Sequence, residues 1–171
     1  MNYLFFRLFV RPYVSSFNFI FYLTHFCEAA LGLCLYGHDI DTASSPVEAG
    51  LAWAIQKSRR AQGDRAGGFP GAERILSQLQ QGPKSRRVGL LPEGRAPMRE
   101  GVPLFASADA DTAIGVITSG GFGPSLNRPV AMGYVPADMA AVDTQVFGEI
   151  RGKRLPLTVV KLPFIPANFK R

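Results

Sequence analysis

Two arginines in the stretch P-E-G-R-A-P-M-R-E-G, residues 92–101, are the first candidates for binding a ligand. Arg95 and Arg99 flank a proline in this stretch. A guanidinium group presents a planar fork of N–H donors that matches a carboxylate, so Arg99 is a candidate for holding an anionic group. An arginine in a solvated hairpin would give the same pattern, and the residues alone leave both interpretations open.

The sequence does not supply a nucleophile together with its base. Ser119 precedes two glycines, but the G-x-S-x-G pattern of a nucleophile elbow does not occur. His38 and Asp39 are neighbours in sequence, which does not make them a catalytic pair in space. The G-G-F-G run is followed by Pro124, so it does not match a dinucleotide-binding loop. The residues therefore predict a ligand-binding edge without a self-sufficient catalytic set.

The two cysteines and two histidines do not predict a metal site. Cys27 and Cys34 lack a Cys-x-x-Cys arrangement, and His25 and His38 do not complete a zinc pattern. Buried free thiols in a reducing compartment are the simpler interpretation. We therefore expect no metal in this protein.

The stretch I-T-S-G-G-F-G-P-S-L-N-R-P-V-A-M-G-Y-V, residues 117–135, places a large aromatic residue between glycines. Glycine permits tight bends and close approach of the backbone to another group. The stretch is therefore either a loop that approaches a partner or a tight crossover between two strands.

The composition predicts a folded domain of ordinary size. The chain has 171 residues, of which 47% are hydrophobic and 19% are charged. Its formal net charge is +6, but the basic residues form short scattered runs without interleaved aromatic residues. This pattern argues against nucleic-acid binding. An anionic small ligand or an acidic protein partner would use the same positive field.

Residues 1–31 differ in composition from the rest of the chain, being dense in Phe, Leu and Tyr. A signal or anchor segment at 17–35 would have to accommodate Asn18, His25 and Glu28, which are costly in a bilayer core, so a membrane role is not favoured. An organelle transit peptide would contain more Arg and Ser and fewer aromatic residues. We favour the third interpretation, an apolar leader that results from a misassigned start or a truncated gene.

The next part of the chain, residues 32–83, is predicted to be helical. Ser45, Pro46 and Glu48 form a capping-box pattern, which predicts a helix over residues 46–60. Trp53 is expected to cover the edge of the apolar stripe of this helix. A second helix is predicted over 71–79.

Residues 84–171 show short apolar runs separated by turn residues, which are typical of strands. Six strands are predicted, at 86–91, 102–105, 114–118, 130–135, 145–150 and 155–161. The apolar tail L-P-F-I-P-A-N-F-K-R is expected to dock on the domain. The predicted fold class is α+β, mainly β, with a helical pair leading into a small antiparallel six-stranded β-barrel.

Several motifs, taken in order, resemble the C-terminal part of the aminomethyltransferase family, the T-proteins of the glycine cleavage system. They are G-L-C-L-Y-G-H-D-I-D, T-A-S-S-P-V-E-A-G-L-A-W-A-I, G-F-P-G-A-E, G-R-A-P-M-R-E-G, V-I-T-S-G-G-F-G-P-S-L, V-A-M-G-Y-V and P-F-I-P-A-N-F. The resemblance extends over residues 32–171. The same module also occurs in dimethylglycine and sarcosine dehydrogenases, but the Tyr-Gly-x-Asp and Pro-Phe-x-Pro segments favour aminomethyltransferase.

The resemblance implies transfer of a one-carbon unit from the aminomethyl-lipoyl arm of H-protein to tetrahydrofolate, with release of ammonia. Tetrahydrofolate is then the co-substrate and lipoylated H-protein the partner, in a bacterial cytoplasm or a mitochondrial matrix. The family's catalytic aspartate lies in an N-terminal folate-binding body that residues 1–31 do not resemble. A fragment lacking that body is expected to be inactive alone.

The resemblance also assigns roles to individual residues. Arg99 matches an arginine that faces the folate, and Phe169 falls where some relatives have a folate-contacting tyrosine. Tyr36 and Asp39 match a segment whose expected role is structural. Phe122 is expected to cap the open end of the barrel, and no catalytic residue carries over.

Three hypotheses follow from these observations. The chain is an aminomethyltransferase with a truncated or misannotated start, or a non-catalytic folate-associated barrel that docks on a separate chain, or a membrane-tethered domain.

Overall fold

The computed structural model describes residues 32–165. The predicted leader at 1–31 lies outside the described residues. So do Phe169 and the other residues of the tail at 166–171.

Six antiparallel strands form a closed barrel in the spatial order β1-β4-β3-β2-β5-β6. The strands are β1 (Ser85–Pro92), β2 (Pro103–Phe105), β3 (Ala113–Gly123), β4 (Arg128–Pro136), β5 (Gln145–Ile150) and β6 (Lys153–Val160). The ring closes where β1 pairs with β6, for example at Leu90 and Val159. The predicted mainly β fold with a six-stranded antiparallel barrel is confirmed.

Aliphatic side chains from the strands fill the interior of the barrel. Leu90, Leu104, Ile117, Val146 and Leu157 are each fully buried. Burying one such side chain contributes about 1.5–3 kcal/mol, so this cluster accounts for much of the stability of the barrel. The short apolar runs that predicted the strands therefore supply the side chains that fill the core.

A single α-helix within residues 32–165, α1 (Ala72–Gln81), confirms the helix predicted over 71–79. It begins after Gly71 and ends at Gly82, and both glycines adopt positive φ angles of 74° and 86°. Glycine adopts this conformation without the steric penalty of a Cβ atom, so it is suited to both ends. The helix buries Ile75.

The helix predicted over residues 46–60 is wrong. The capping box itself forms, because the Glu48 N–H donates to the Ser45 Oγ at 3.1 Å and the Ser45 N–H donates to a Glu48 carboxylate oxygen at 2.9 Å. Only one helical turn follows, and it stops at Gly50, whose φ is 75°. A capping box predicts only the first turn of a helix, and the left-handed conformation of Gly50 ends that turn.

The chain after Gly50 forms two short 3₁₀ turns, Ala52–Ala54 and Lys57–Arg59, in place of an α-helix. The Arg60 guanidinium donates to the carbonyl oxygens of Ala52 and Ile55. Because these two carbonyl oxygens accept hydrogen bonds from the Arg60 side chain, the compact turns are stabilised. Trp53, expected at the edge of an apolar stripe, is instead 77% exposed.

The glycine-rich run after Thr118, interpreted from the sequence as a loop or a tight crossover between two strands, belongs to strand β3. Its residues pair with β4 as far as Gly123 and Arg128, and the turn comes only after them. A Cβ atom at Gly120 would collide with the carbonyl oxygen of Met98. Glycine is needed here for close approach of two chain segments and not for a bend.

Candidate functional site

Residues 32–50, here called the arm, lie against the outside of the barrel and are fastened through Asp39. This carboxylate is 2% exposed. Its Oδ2 accepts a 3.0 Å hydrogen bond from the Leu35 N–H, and its Oδ1 accepts one of 2.5 Å from the Thr118 hydroxyl. The Tyr134 hydroxyl donates to the Asp39 carbonyl oxygen at 2.8 Å. This arrangement is consistent with the structural role expected for Asp39.

Arg87 in β1 makes a second connection between the barrel and the arm. Its Nε donates to the Ala49 carbonyl oxygen at 3.0 Å and its Nη1 to the Gly32 carbonyl oxygen at 3.1 Å. Its backbone N–H donates to the Glu48 carbonyl oxygen at 2.9 Å. One arginine therefore ties both ends of the arm to one strand.

Glu48 links the arm to helix α1. Its carboxylate accepts hydrogen bonds from Arg74 at 2.8 Å and from Gln78 at 2.9 Å, in addition to the Ser45 N–H. Burial raises the pKa of Glu48, but the Ser45 N–H, the Arg74 guanidinium and the Gln78 amide outweigh it, and the pKa is lowered overall. Glu48 is therefore ionised at neutral pH.

Residues 94–101, here called the strap, precede β2 and lie against β3. The Gly101 N–H donates to the Ile117 carbonyl oxygen at 2.9 Å. Further along, Met98 is fully buried in the barrel core. The Arg95 guanidinium lies 5.7 Å from the centroid of the Phe122 ring, which is half-buried.

A cleft of about 360 Å³ opens where the arm, the strap and strands β3 and β4 meet. It is lined by His38, Asp39, Asp41, Ser44, Glu100, Gly101, Val116, Ile117, Thr118 and Tyr134. The His38 Nδ1 lies 2.9 Å from the Glu100 Oε2 and connects the arm to the strap. The cleft is acidic, and it offers apolar surface at Val116, which is 40% exposed.

Local hydrogen bonding and burial set the ionisation of two groups in the cleft wall. The pKa of Asp41 is lowered by the hydroxyl and the N–H of Ser44 and by the Ala43 N–H. Burial raises the pKa of the Tyr134 hydroxyl, so the phenol remains protonated and can donate to Asp39. Neither group is poised to exchange a proton near neutral pH.

The predicted ligand-binding residue Arg99 lies exposed on the strap, between Met98 and Glu100. Within residues 32–165 its guanidinium has no hydrogen-bond or ion-pair partner. The second predicted residue, Phe169, lies outside the described residues. Arg99 directly precedes Glu100 and Gly101, which line the cleft, but it is not itself one of the lining residues.

The other sequence candidates do not form a catalytic set in the described part of the chain. The Ser119 hydroxyl is buried and has no hydrogen-bond partner among the described residues. His38 contacts Glu100, which lies 62 residues away in sequence. Sequence reasoning missed this contact because no motif links the two positions.

Residues 32–165 show neither a metal centre nor a membrane-spanning helix. No group of three or more His, Cys, Asp or Glu side chains there could hold a metal ion. No helix in this range is long and apolar enough to cross a membrane.

The comparisons with known proteins agree with the topology of the barrel. Residues 86–165 match the family model described as the glycine cleavage T-protein C-terminal barrel domain. The chain is 46% identical over 138 residues to the mitochondrial aminomethyltransferases of Solanum tuberosum and Homo sapiens. Each of these matches covers 81% of this chain and 32% of the relative.

A solved structure shows the same likeness in three dimensions. The crystal structure of the glycine cleavage system aminomethyltransferase T from Bartonella henselae matches with a TM-score of 0.72 and 47% identity. The match covers 80% of this chain and 36% of that one. The chain spans about a third of the length of the curated relatives it matches. From its closed barrel and these matches, we conclude that the chain belongs to the aminomethyltransferase family and carries the C-terminal barrel of the glycine cleavage T-proteins.

Proposed function

We propose that this chain serves as the C-terminal part of an aminomethyltransferase of the glycine cleavage system. The reaction transfers the one-carbon unit from the aminomethyl group on the lipoyl arm of H-protein to tetrahydrofolate, and ammonia is released. The observation that carries the proposal is the 46% identity over 138 residues, which extends beyond the barrel into the segments that precede it.

In this proposal the chain helps to bind tetrahydrofolate and supports the surface next to the strap. The exposed Arg99 guanidinium, without a partner among residues 32–165, is suited to a carboxylate of tetrahydrofolate. Phe169 would contact the same molecule through its ring, without the hydroxyl of a tyrosine. The arm, held by Asp39 and Arg87, fixes the surface next to the strap.

The proton transfer of the reaction is assigned to groups outside residues 32–165. In that range the two carboxylates with clearly shifted pKa values, Asp41 and Glu48, are both shifted downward. Such groups remain ionised at neutral pH and are poor general acids. We propose that the proton is transferred by an aspartate of the N-terminal folate-binding body that the family resemblance implies.

The proposed location follows from the compartment named for the relatives. The aminomethyltransferases of Solanum tuberosum and Homo sapiens are described as mitochondrial. We assign this chain to a mitochondrial matrix or, if its source is bacterial, to the cytoplasm.

A chimera tests the proposal directly. Residues 32–165 of this chain replace the matched segment of the Bartonella henselae aminomethyltransferase, and ammonia release from aminomethyl-loaded H-protein is measured with tetrahydrofolate. We expect the chimera to retain activity and Arg99→Ala to raise the KM for tetrahydrofolate by about tenfold, the effect of losing one charge-assisted contact. The matched control is Arg86→Ala, an exposed arginine on β1. A folded chimera without activity would contradict the proposal.

A second function, a non-catalytic folate-associated barrel that docks on a separate chain, is supported by exposed apolar side chains. Leu33, Tyr36 and Trp53 are 55%, 67% and 77% exposed. The 171-residue chain can be mixed with a separately expressed N-terminal part of the Bartonella henselae enzyme. Association without any aminomethyltransferase activity, together with an inactive chimera, would favour the docking function.

A further inference from the structure

The strap has two strong anchors, and Arg99 lies between them. Met98, immediately before Arg99, is fully buried in the barrel core. Gly101, two residues after Arg99, donates its N–H to the Ile117 carbonyl oxygen at 2.9 Å. Gly94 and Gly101 both adopt positive φ angles, of 81° and 83°, so the strap begins and ends at backbone conformations that favour glycine.

A third contact joins the strap to the arm. The His38 Nδ1 lies 2.9 Å from the Glu100 Oε2, and Glu100 is the residue directly after Arg99. The side chains of His38 and Glu100 are 34% and 58% exposed, so water screens their attraction and its effect is modest. The contact nonetheless restrains Glu100, which lies between Arg99 and Gly101 and whose side chain is exposed.

We propose that His38 and Glu100 are positioning residues, and that their contact orders the strap so that the Arg99 guanidinium is held ready for an anionic ligand. The ordering of the strap stands on the contacts of residues 32–165 alone. The identity of the anionic ligand as tetrahydrofolate rests on the proposed function.

Ordering the strap before binding lowers the entropic cost of binding. An arginine side chain has many rotamers, and a mobile backbone beneath it adds further freedom that a ligand must remove. With Met98 buried and the Glu100 side chain in contact with His38, both sequence neighbours of Arg99 are restrained. The chemistry that this arrangement favours is a carboxylate bound by a fork of guanidinium donors.

Hydrogen exchange of the 171-residue chain tests the ordering without any ligand. We expect His38→Ala and Glu100→Ala to speed amide exchange at residues 99–101 by about two- to fivefold, the size of one exposed side-chain hydrogen bond. Glu100→Gln should exchange nearly as slowly as the wild type, because an amide oxygen still accepts a hydrogen bond from the imidazole. The control is Glu93→Ala, an exposed carboxylate just before the strap. Unchanged exchange in both alanine variants would overturn the proposal.

Calorimetric titration of the same chain with tetrahydrofolate tests the consequence for Arg99. His38→Ala and Glu100→Ala should each raise the Kd by about two- to fivefold. In an Arg99→Ala background they should cause no further change, because a positioning residue acts through the residue it positions. Additive losses in the double variants would overturn the positioning role. If the wild-type chain binds no tetrahydrofolate, the folate assignment fails, and hydrogen exchange alone then decides whether the contact orders the strap.

Discussion

The Thr118 hydroxyl in β3 donates a 2.5 Å hydrogen bond to the carboxylate of Asp39, which lies 79 residues earlier in the chain. Asp39 also accepts a hydrogen bond from the Leu35 N–H, and its backbone carbonyl accepts one from Tyr134. Asp39, which is 2% exposed, thus attaches the arm to β3 through its carboxylate and to β4 through its backbone carbonyl.

Replacing Asp39 should therefore destabilise the protein strongly. Asp39→Ala leaves the Leu35 N–H and the Thr118 hydroxyl without their acceptor, which we expect to cost about 2–4 kcal/mol. Chemical denaturation measures the loss. Asp109→Ala, an exposed aspartate in the loop between β2 and β3, is the control and should change stability little. Equal effects of the two substitutions would contradict the role assigned to Asp39.

Arg87 offers a comparison between neighbouring residues on one strand. Arg87→Ala removes the hydrogen bonds to Gly32 and Ala49, and we expect a loss of about 1–3 kcal/mol together with faster amide exchange in the arm. Arg86→Ala removes an exposed arginine at the adjacent position and should leave both measurements nearly unchanged. If the Arg86 variant loosens the arm as much as the Arg87 variant does, the assigned contacts are not what holds it.

Gly120 is predicted to be intolerant of a side chain because of the strap. A Cβ atom at this position would collide with the Met98 carbonyl oxygen, so Gly120→Ala must displace either the strap or β3. We expect a loss of about 1–3 kcal/mol by thermal or chemical denaturation. Gly123→Ala in the same strand is the control, since its nearest atom would lie at an ordinary contact distance of 3.4 Å. A stable Gly120 variant with an unmoved strap would be incompatible with this packing.

Glu48 should give the protein an acid-sensitive contribution to stability. Its folded-state pKa is lowered below the ordinary value of 4.5, so the ionised form is favoured by folding. The resulting stability is fully present above pH 4.5 and is lost as the pH falls through the lower folded-state pKa. Glu48→Gln should therefore be less stable than wild type by about 1 kcal/mol at neutral pH, and the difference should shrink in acid. A difference that is constant from pH 7 into strong acid, measured by urea denaturation, would rule this out.

Trp53 provides a fluorescence signal, since it is the single tryptophan of the chain. Because its side chain is 77% exposed, we expect its emission in the 171-residue chain to resemble that of free tryptophan and acrylamide to quench it efficiently. Adding the N-terminal part of a relative should shift the emission to the blue only if that part covers Trp53. Blue-shifted, poorly quenched emission of the chain alone would show that this face is already covered.

The sequence predicted the barrel well because its signals are local. Short apolar runs indicate the strands, Gly152 lies in the turn between β5 and β6, and helix α1 lies between Gly71 and Gly82. The helix predicted over 46–60 failed because a capping box determines only the first turn. The conformation of the chain after this turn depends on Gly50 and on hydrogen bonds from the Arg60 side chain, which the periodicity of apolar residues does not reveal.

The site was harder to predict because it is built from distant residues. Arg99 could be named from the sequence as a candidate for holding an anionic group, and the structure shows that it is exposed on the strap. The His38 and Glu100 contact joins residues 62 positions apart and depends on where the arm lies on the barrel. Likewise, the extension of β3 through Gly120 to Gly123 depends on pairing with β4, because glycine by itself disfavours a strand.

The closure of the barrel between β1 and β6 has a consequence for recognition. Every one of the six strands has a neighbour on both sides, so none offers a free edge to which a peptide could add as a seventh strand. A partner of this part of the protein must therefore be selected by the side chains on its outer surface, and its specificity should be changeable by single substitutions there.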